Sequence, residues 1–149
     1  MDRPIVVAVD GSPAAEQAVA VALDLASAQT AKVVFVHYSP IAATLLEAAP
    51  DRGPSQEAIE GADDVLRAAA NKGRERAIAF ELEILDERGT GDIAASLAGI
   101  AEARGASLVV VGSRGRGTIA GAVLGSVSRG LLSVSRVPVL VAHATGAGS

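Results

Sequence analysis

Residues 112–130 run GSRGRGTIAGAVLGSVSRG, with glycines at Gly112, Gly115, Gly117, Gly121, Gly125 and Gly130. Glycine has no Cβ to hold a ligand away, so such a loop lets backbone N–H groups approach and surround an anion. Phosphate is the anion this suits. A helix opening at Gly125 and Ser126 adds unpaired amides, a partial positive charge and the Ser126 hydroxyl. Arg114 and Arg116 either supplement that charge or are simply solvated. A second candidate segment is Asp10-Gly11-Ser12-Pro13, where a carboxylate directly follows an apolar run.

Three other phosphate or nucleophile patterns do not fit. Gly112 and Gly117 have P-loop spacing, but Thr118 follows Gly117 directly, where a lysine has to intervene. The turn after the first apolar run holds only Gly11, and the later loop offers G-x-G-x-x-x-G, so the dinucleotide fingerprint is not met. Ser113 sits in VGSRG, which lacks the first glycine of a nucleophile elbow, and no acid and histidine pair is evident in the sequence to activate it. His37 and His143 lie far apart at the ends of apolar runs and read as structural, while Asp63, Asp64, Glu81 and Glu83 read as solvated faces.

The elements that must position these segments follow from apolar patterning. Residues 5–9 (IVVAV) form a continuous β-branched run, and Ser12 and Pro13 supply a cap and a first helical residue. Ala15, Ala18, Val19, Ala22, Leu23 and Ala26 then recur at helical spacing to about residue 28. The alternation repeats, with strands at 32–38, 79–85, 107–111 and 137–143 and helices at about 55–76, 92–104 and 119–135. Gly61 and Gly73 weaken the second helix, and Pro138 places the last strand at a sheet edge. The third strand also reads as lying toward an edge. Strands alternating with helices imply right-handed crossovers and a parallel α/β sheet. Ligands of such sheets bind outside the carboxyl ends of the strands where the strand order reverses, here after Val9 and Val111. Residues 39–54 read as a loop and residues 144–149 as a disordered tail.

Length and composition agree with one such domain. The 149 residues are 50% hydrophobic but only 2% aromatic, so the core comes from Val, Leu, Ile and Ala. A net charge of −4, a pI near 5.1 and the lack of any broad basic stretch argue against a nucleic-acid partner. The absence of cysteine removes disulfides, thiolate nucleophiles and thiolate metal sites. The first apolar run is too short to export the chain or to span a membrane, and the expected setting is cytoplasmic.

Gly112, Gly115, Gly125 and Ser126 meet the spacing G-x2-G-x9-G-[ST] directly after a buried strand. With VAVDGS after the first strand, VHYSP after the second and VPVLVAH near the C-terminus, the chain resembles the universal stress protein family over essentially its whole length. The resemblance implies a Rossmann-like five-stranded parallel sheet of order 3-2-1-4-5 with helices on both faces, forming a nucleotide-binding domain over residues 1–143. It implies ATP as ligand, because members with the full glycine motif bind it; ADP or AMP are alternatives, and magnesium is expected with the phosphates. Carried over by position, Gly115, Gly125 and Ser126 meet the phosphates and Gly112 the ribose side. Asp10 lies by the adenosine, and the backbone at Tyr38 meets adenine. Family members more often place a small aliphatic residue where Tyr38 stands. The resemblance and the apolar edge strand also imply a homodimer through the C-terminal strand.

Plainer roles stand beside these. Asp10 suits a strand-end turn, Ser12 a helix cap, and the glycines close helix packing. Without a phosphate-directed lysine or a dedicated base, turnover is expected to be slow or absent. The alternatives are a slow ATPase or adenylyl-transferring enzyme, and a nucleotide-free interaction protein. Gly125→Val should nearly abolish ATP binding by blocking the approach to the helix amides. Ser126→Ala, losing one hydrogen bond to a charged group, should weaken binding by roughly tenfold to a hundredfold. Titration calorimetry with magnesium-ATP on both variants, alongside thermal melts, measures the difference, and unchanged affinity in folded Gly125→Val places the phosphate site elsewhere.

Overall fold

The computed structural model describes residues 3–86, 92–113 and 125–144. Five strands form one parallel sheet: β1 (Ile5–Ala8), β2 (Val33–Tyr38), β3 (Phe80–Leu85), β4 (Leu108–Gly112) and β5 (Val139–Ala142), in the order β3-β2-β1-β4-β5. The connecting helices are α1 (Pro13–Gln29), α2 (Ala42–Ala48), α3 (Gln56–Ala62), α4 (Asp64–Glu75), α5 (Ile93–Ala103) and α6 (Ser126–Val134). This is the doubly wound fold expected from the alternation of strand and helix.

The valine-rich runs form central strands because both faces of the sheet are covered. Ile5, Val7, Val33 and Phe35 bury on one face with Leu23 of α1 and Leu66 of α4. Val6, Val34, Val36, Val109 and Val111 bury on the other with Leu97 of α5 and Leu131 of α6. In register, Ile5 lies beside Val33 on one side and Leu108 on the other, which brings the ends of β1, β2 and β4 to a common edge. Strand order reverses between β1 and β4, so the crevice falls there. Pro138 directly precedes β5, which is an edge strand as its sequence implies.

Three expectations need correction. The helix expected over 55–76 is two helices, because Asp63 is extended (φ −118°, ψ 111°) and its carboxylate accepts from the Leu66 amide at 2.8 Å, capping α4. That hydrogen bond interrupts the helix, which neither Gly61 nor Gly73 does. The 39–54 segment carries a two-turn helix, α2. The helix expected over 119–135 is described from Ser126 onward, its first part lying outside the described residues, as does most of the expected tail. Glu81 and Glu83 are not merely solvated: Arg104 donates to Glu83 at 2.7 Å and to Glu81 at 3.2 Å, and Lys32 also pairs with Glu81, tying edge strand β3 to its neighbours.

Helices α5 and α6 approach so closely that a Cβ on Gly130 would lie 2.7 Å from the Ala94 Cβ. Gly→Ala inside a helix ordinarily stabilises by up to about 1 kcal/mol. Here Gly130→Ala should instead destabilise by about 1–3 kcal/mol through overpacking. Adding Ala94→Gly should recover part of the loss. Chemical denaturation of the single and double variants checks the sign, and a stabilised Gly130→Ala refutes the close approach.

Candidate functional site

A cleft of about 530 Å³ opens at the carboxyl ends of β1, β2 and β4. It is lined by Asp10, Ser12, His37, Tyr38, Gly112, Gly125, Ser126 and Ser128 among others. Five of the six residues expected to form a site, Asp10, Tyr38, Gly112, Gly125 and Ser126, therefore share one cleft although they come from segments up to 116 positions apart in sequence. Gly115, with Arg114 and Arg116, lies outside the described residues.

Local chemistry explains each placement. Gly11 adopts a left-handed conformation (φ 81°), and the Ser12 amide donates to the Asp10 carboxylate at 2.8 Å, so Asp10 does form the strand-end turn that its type suggests. Ser12 caps α1, accepting from the Ala15 amide at 3.2 Å. At the other wall the Gly125 amide donates to the Ser113 carbonyl at 2.6 Å, and the Ser128 hydroxyl donates to the Gly112 carbonyl at 2.6 Å. These two hydrogen bonds pin the start of α6 to the end of β4. Ser128 is almost fully buried, and its hydroxyl serves this bracing role.

The cap position of α6 is Gly125, which has no side chain to accept from the first-turn amides. Helices α1, α3, α4 and α5 each have such an acceptor, in Ser12, Ser55, Asp63 and Asp92, whereas α2, with Ile41 at its cap, has none and does not line the cleft. Gly125 and Ser126 at the start of α6 line the cleft, where the partial positive charge of the helix end suits a phosphate. Gly112 has a second reason to be glycine. A Cβ there would lie 2.8 Å from the Ala14 carbonyl carbon and 2.9 Å from the Ala15 nitrogen, inside the first turn of α1. Close packing alone fixes this residue, as it does Gly130.

Tyr38 also lines the cleft. Its hydroxyl donates to the Ile93 carbonyl at 3.3 Å, joining β2 to the first turn of α5. Burial pushes the phenol up to about 12, opposed by a hydrogen bond with Ser96 and reinforced by the negative charges of Glu83 and Asp92. His37 and Asp63 form a pair that sequence reasoning missed: His37 lines the cleft, and its Nδ1 lies 2.9 and 3.0 Å from the two oxygens of Asp63, which is 4% exposed rather than solvated. The signal available was Asp63 itself, a capping residue followed by a helical apolar pattern. Among the described residues no group of three or more His, Cys, Asp or Glu is placed to hold a metal ion, and no helix is long and apolar enough to cross a membrane.

The fold and cleft define a doubly wound α/β domain with an anion-suited crevice at its switch point. Residues 1–143 match the model of the Universal stress protein family, and the chain belongs to that family. Universal stress protein Rv2005c of Mycobacterium tuberculosis is 34% identical over 141 residues, 94% of this chain and 45% of the relative. The chain thus spans about half the length of the curated relatives it matches. Among solved structures, a universal stress protein in complex with cAMP aligns with a TM-score of 0.68 and 27% identity over 97% of this chain and 98% of the other. The universal stress protein from Archaeoglobus fulgidus in complex with dAMP aligns with a TM-score of 0.67 and 25% identity over 94% and 97%.

Tyr38 is the one tyrosine of the chain and there is no tryptophan, so its phenolate absorbance can be followed without interference. Alkaline titration should give a midpoint near 12. The folded state then holds its proton more tightly than the unfolded chain, whose phenol titrates at about 10. The stability this provides is complete below that value and lost as pH rises through the folded midpoint. A midpoint at the free phenol value shows that the ring is not buried against α5.

Proposed function

We propose that this chain is an adenine-nucleotide-binding signalling module of the stress response that holds ATP with little or no turnover. The observation that carries the reading is the meeting of Asp10, Tyr38, Gly112, Gly125 and Ser126 in one cleft at the uncapped end of α6. The cleft volume lies within the range usual for small-molecule sites. Family members with cAMP and dAMP bound support an adenine nucleotide as the ligand class. ATP is the specific choice because the glycine spacing is complete and the α6 amides suit a chain of phosphates. In this reading Gly115, Gly125 and Ser126 meet the phosphates, Gly112 the ribose side, Asp10 the adenosine and the Tyr38 backbone the adenine. Magnesium arrives on the nucleotide, coordinated mainly by phosphate oxygens and water.

A twofold homodimer through β5 completes the proposal, with the cytoplasm as its setting. Val139, Leu140 and Val141 are only partly buried on this edge strand. Helix α6, which packs on β5, carries Leu132 and Val134, the most exposed large apolar side chains among the described residues at 55% and 48%. Pairing of two such edges removes an aggregation hazard as well as apolar surface.

Native mass spectrometry of the purified protein tests both parts, with a dimer mass carrying one adenine nucleotide per chain expected. Steady-state ATP hydrolysis should fall well below about 1 per second, the low end of ordinary enzymic rates. A monomer overturns the assembly, absence of binding on added ATP overturns the ligand, and fast turnover overturns the non-enzymic reading.

A further inference from the structure

The side chains of His37 and Asp63 come together from opposite ends of the β2 to α4 connection, 26 residues apart. Asp63 is buried and doubly engaged, accepting from the Leu66 amide while facing His37 Nδ1 with both oxygens. A carboxylate has no proton to donate, so Nδ1 carries the proton in this contact. In the neutral ring Nε2 is then a bare acceptor. The His37 side chain is 15% exposed and lines the cleft, and Nε2 makes no hydrogen bond with the described residues. Asp63 is itself fixed by capping α4, so the ring is held by a group that cannot easily move.

We infer that His37, oriented and set in its Nδ1–H tautomer by Asp63, presents Nε2 to the bound nucleoside as a hydrogen-bond acceptor and so selects ligands that carry a donor there. The inference rests on the nucleotide reading of the cleft. A nucleoside has two kinds of donor of this chemistry, the exocyclic amine of adenine and the ribose hydroxyls. Asp63 touches no ligand and is a positioning residue. The pair is built as the carboxylate and imidazole of many functional sites are, with one ring nitrogen anchored so that the other is defined.

Two variants separate the ring's two nitrogens. His37→Asn keeps an amide that can donate to Asp63 and removes the atom facing the cleft. His37→Gln reaches toward the Nε2 position and gives up the Asp63 contact. By titration calorimetry on the full chain, His37→Asn should bind ATP about threefold to tenfold more weakly, the scale of one neutral hydrogen bond. His37→Gln should recover part of that loss. With wild-type protein, ITP tests the amine, and 2′-deoxy-ATP and 3′-deoxy-ATP test the hydroxyls. One of the three should lose the same factor, and His37→Asn should bind that analogue and ATP alike, as expected when both changes remove one interaction. Nitrogen NMR of the imidazole, simplified by there being two histidines in the chain, should show Nδ1 protonated and Nε2 bare, and Asp63→Asn should mix the tautomers. The analogue series and the tautomer measurement need no variant at His37, so misfolding of one does not protect the inference. Wild-type affinity in folded His37→Asn, equal binding of all analogues, or an Nε2-protonated ring overturns it while leaving ATP binding intact. Failure of wild-type protein to bind ATP or any analogue overturns the nucleotide reading itself.

Discussion

The arrangement of the cleft depends on one close approach: the end of β4 lies against the first turn of α1 with no side chain between them. Gly112 makes this possible, because a Cβ there would penetrate the backbone of Ala14 and Ala15. Ala14 and Ala15 are small and buried for the same reason. Once β4 and the start of α1 are in contact, the Gly112 and Ser113 carbonyls are in place to receive the Ser128 hydroxyl and the Gly125 amide, which lock α6 to the same strand end. The beginnings of α1 and α6 thus converge on one crevice. Moving β4 away from α1 would separate them, whatever residues stand between Ser113 and Gly125.

The central strands were legible because parallel strands buried on both faces read as uninterrupted apolar runs, as residues 5–9 and 108–111 do. Pro138 identified an edge without any knowledge of neighbours. The order of strands was a different matter, since pairing depends on crossovers between segments far apart, and it came from the resemblance carried by the four motif segments. The meeting of Asp10, Tyr38 and Gly125 in one cleft was legible on the same basis, through the rule that crevices form where strand order reverses.

What stayed hidden was set by side chains meeting across the fold. Asp63 looks like one of two charged residues on a helix face, and only the position of His37 at the end of β2 makes it a buried partner. The break between α3 and α4 has the same origin. A capping aspartate competes with helix continuation, and the outcome turns on whether tertiary contacts hold it in the extended conformation. Glu81 and Glu83 likewise gained meaning from partners across the fold, Lys32 before β2 and Arg104, which stands at the end of α5.

The glycines of the 112–130 segment are therefore not equal as evidence for a ligand. Gly112 and Gly130 are required by the packing of β4 on α1 and of α5 on α6, and both would be needed in a protein that bound nothing. Their presence speaks for the fold. Gly125 is different: it lines the cleft at the cap of α6 without the side-chain acceptor that α1, α3, α4 and α5 carry and that α2 also lacks, and its own amide is already committed to Ser113. A serine or aspartate at that position would offer the first-turn amides of α6 an internal acceptor, at a gain over glycine of only about a few tenths of a kcal/mol. Leaving out that acceptor costs little and keeps the first-turn amides open to an anion in the cleft. What favours a phosphate here is the side-chain acceptor that Gly125 leaves out at the cleft more than the number of glycines around it.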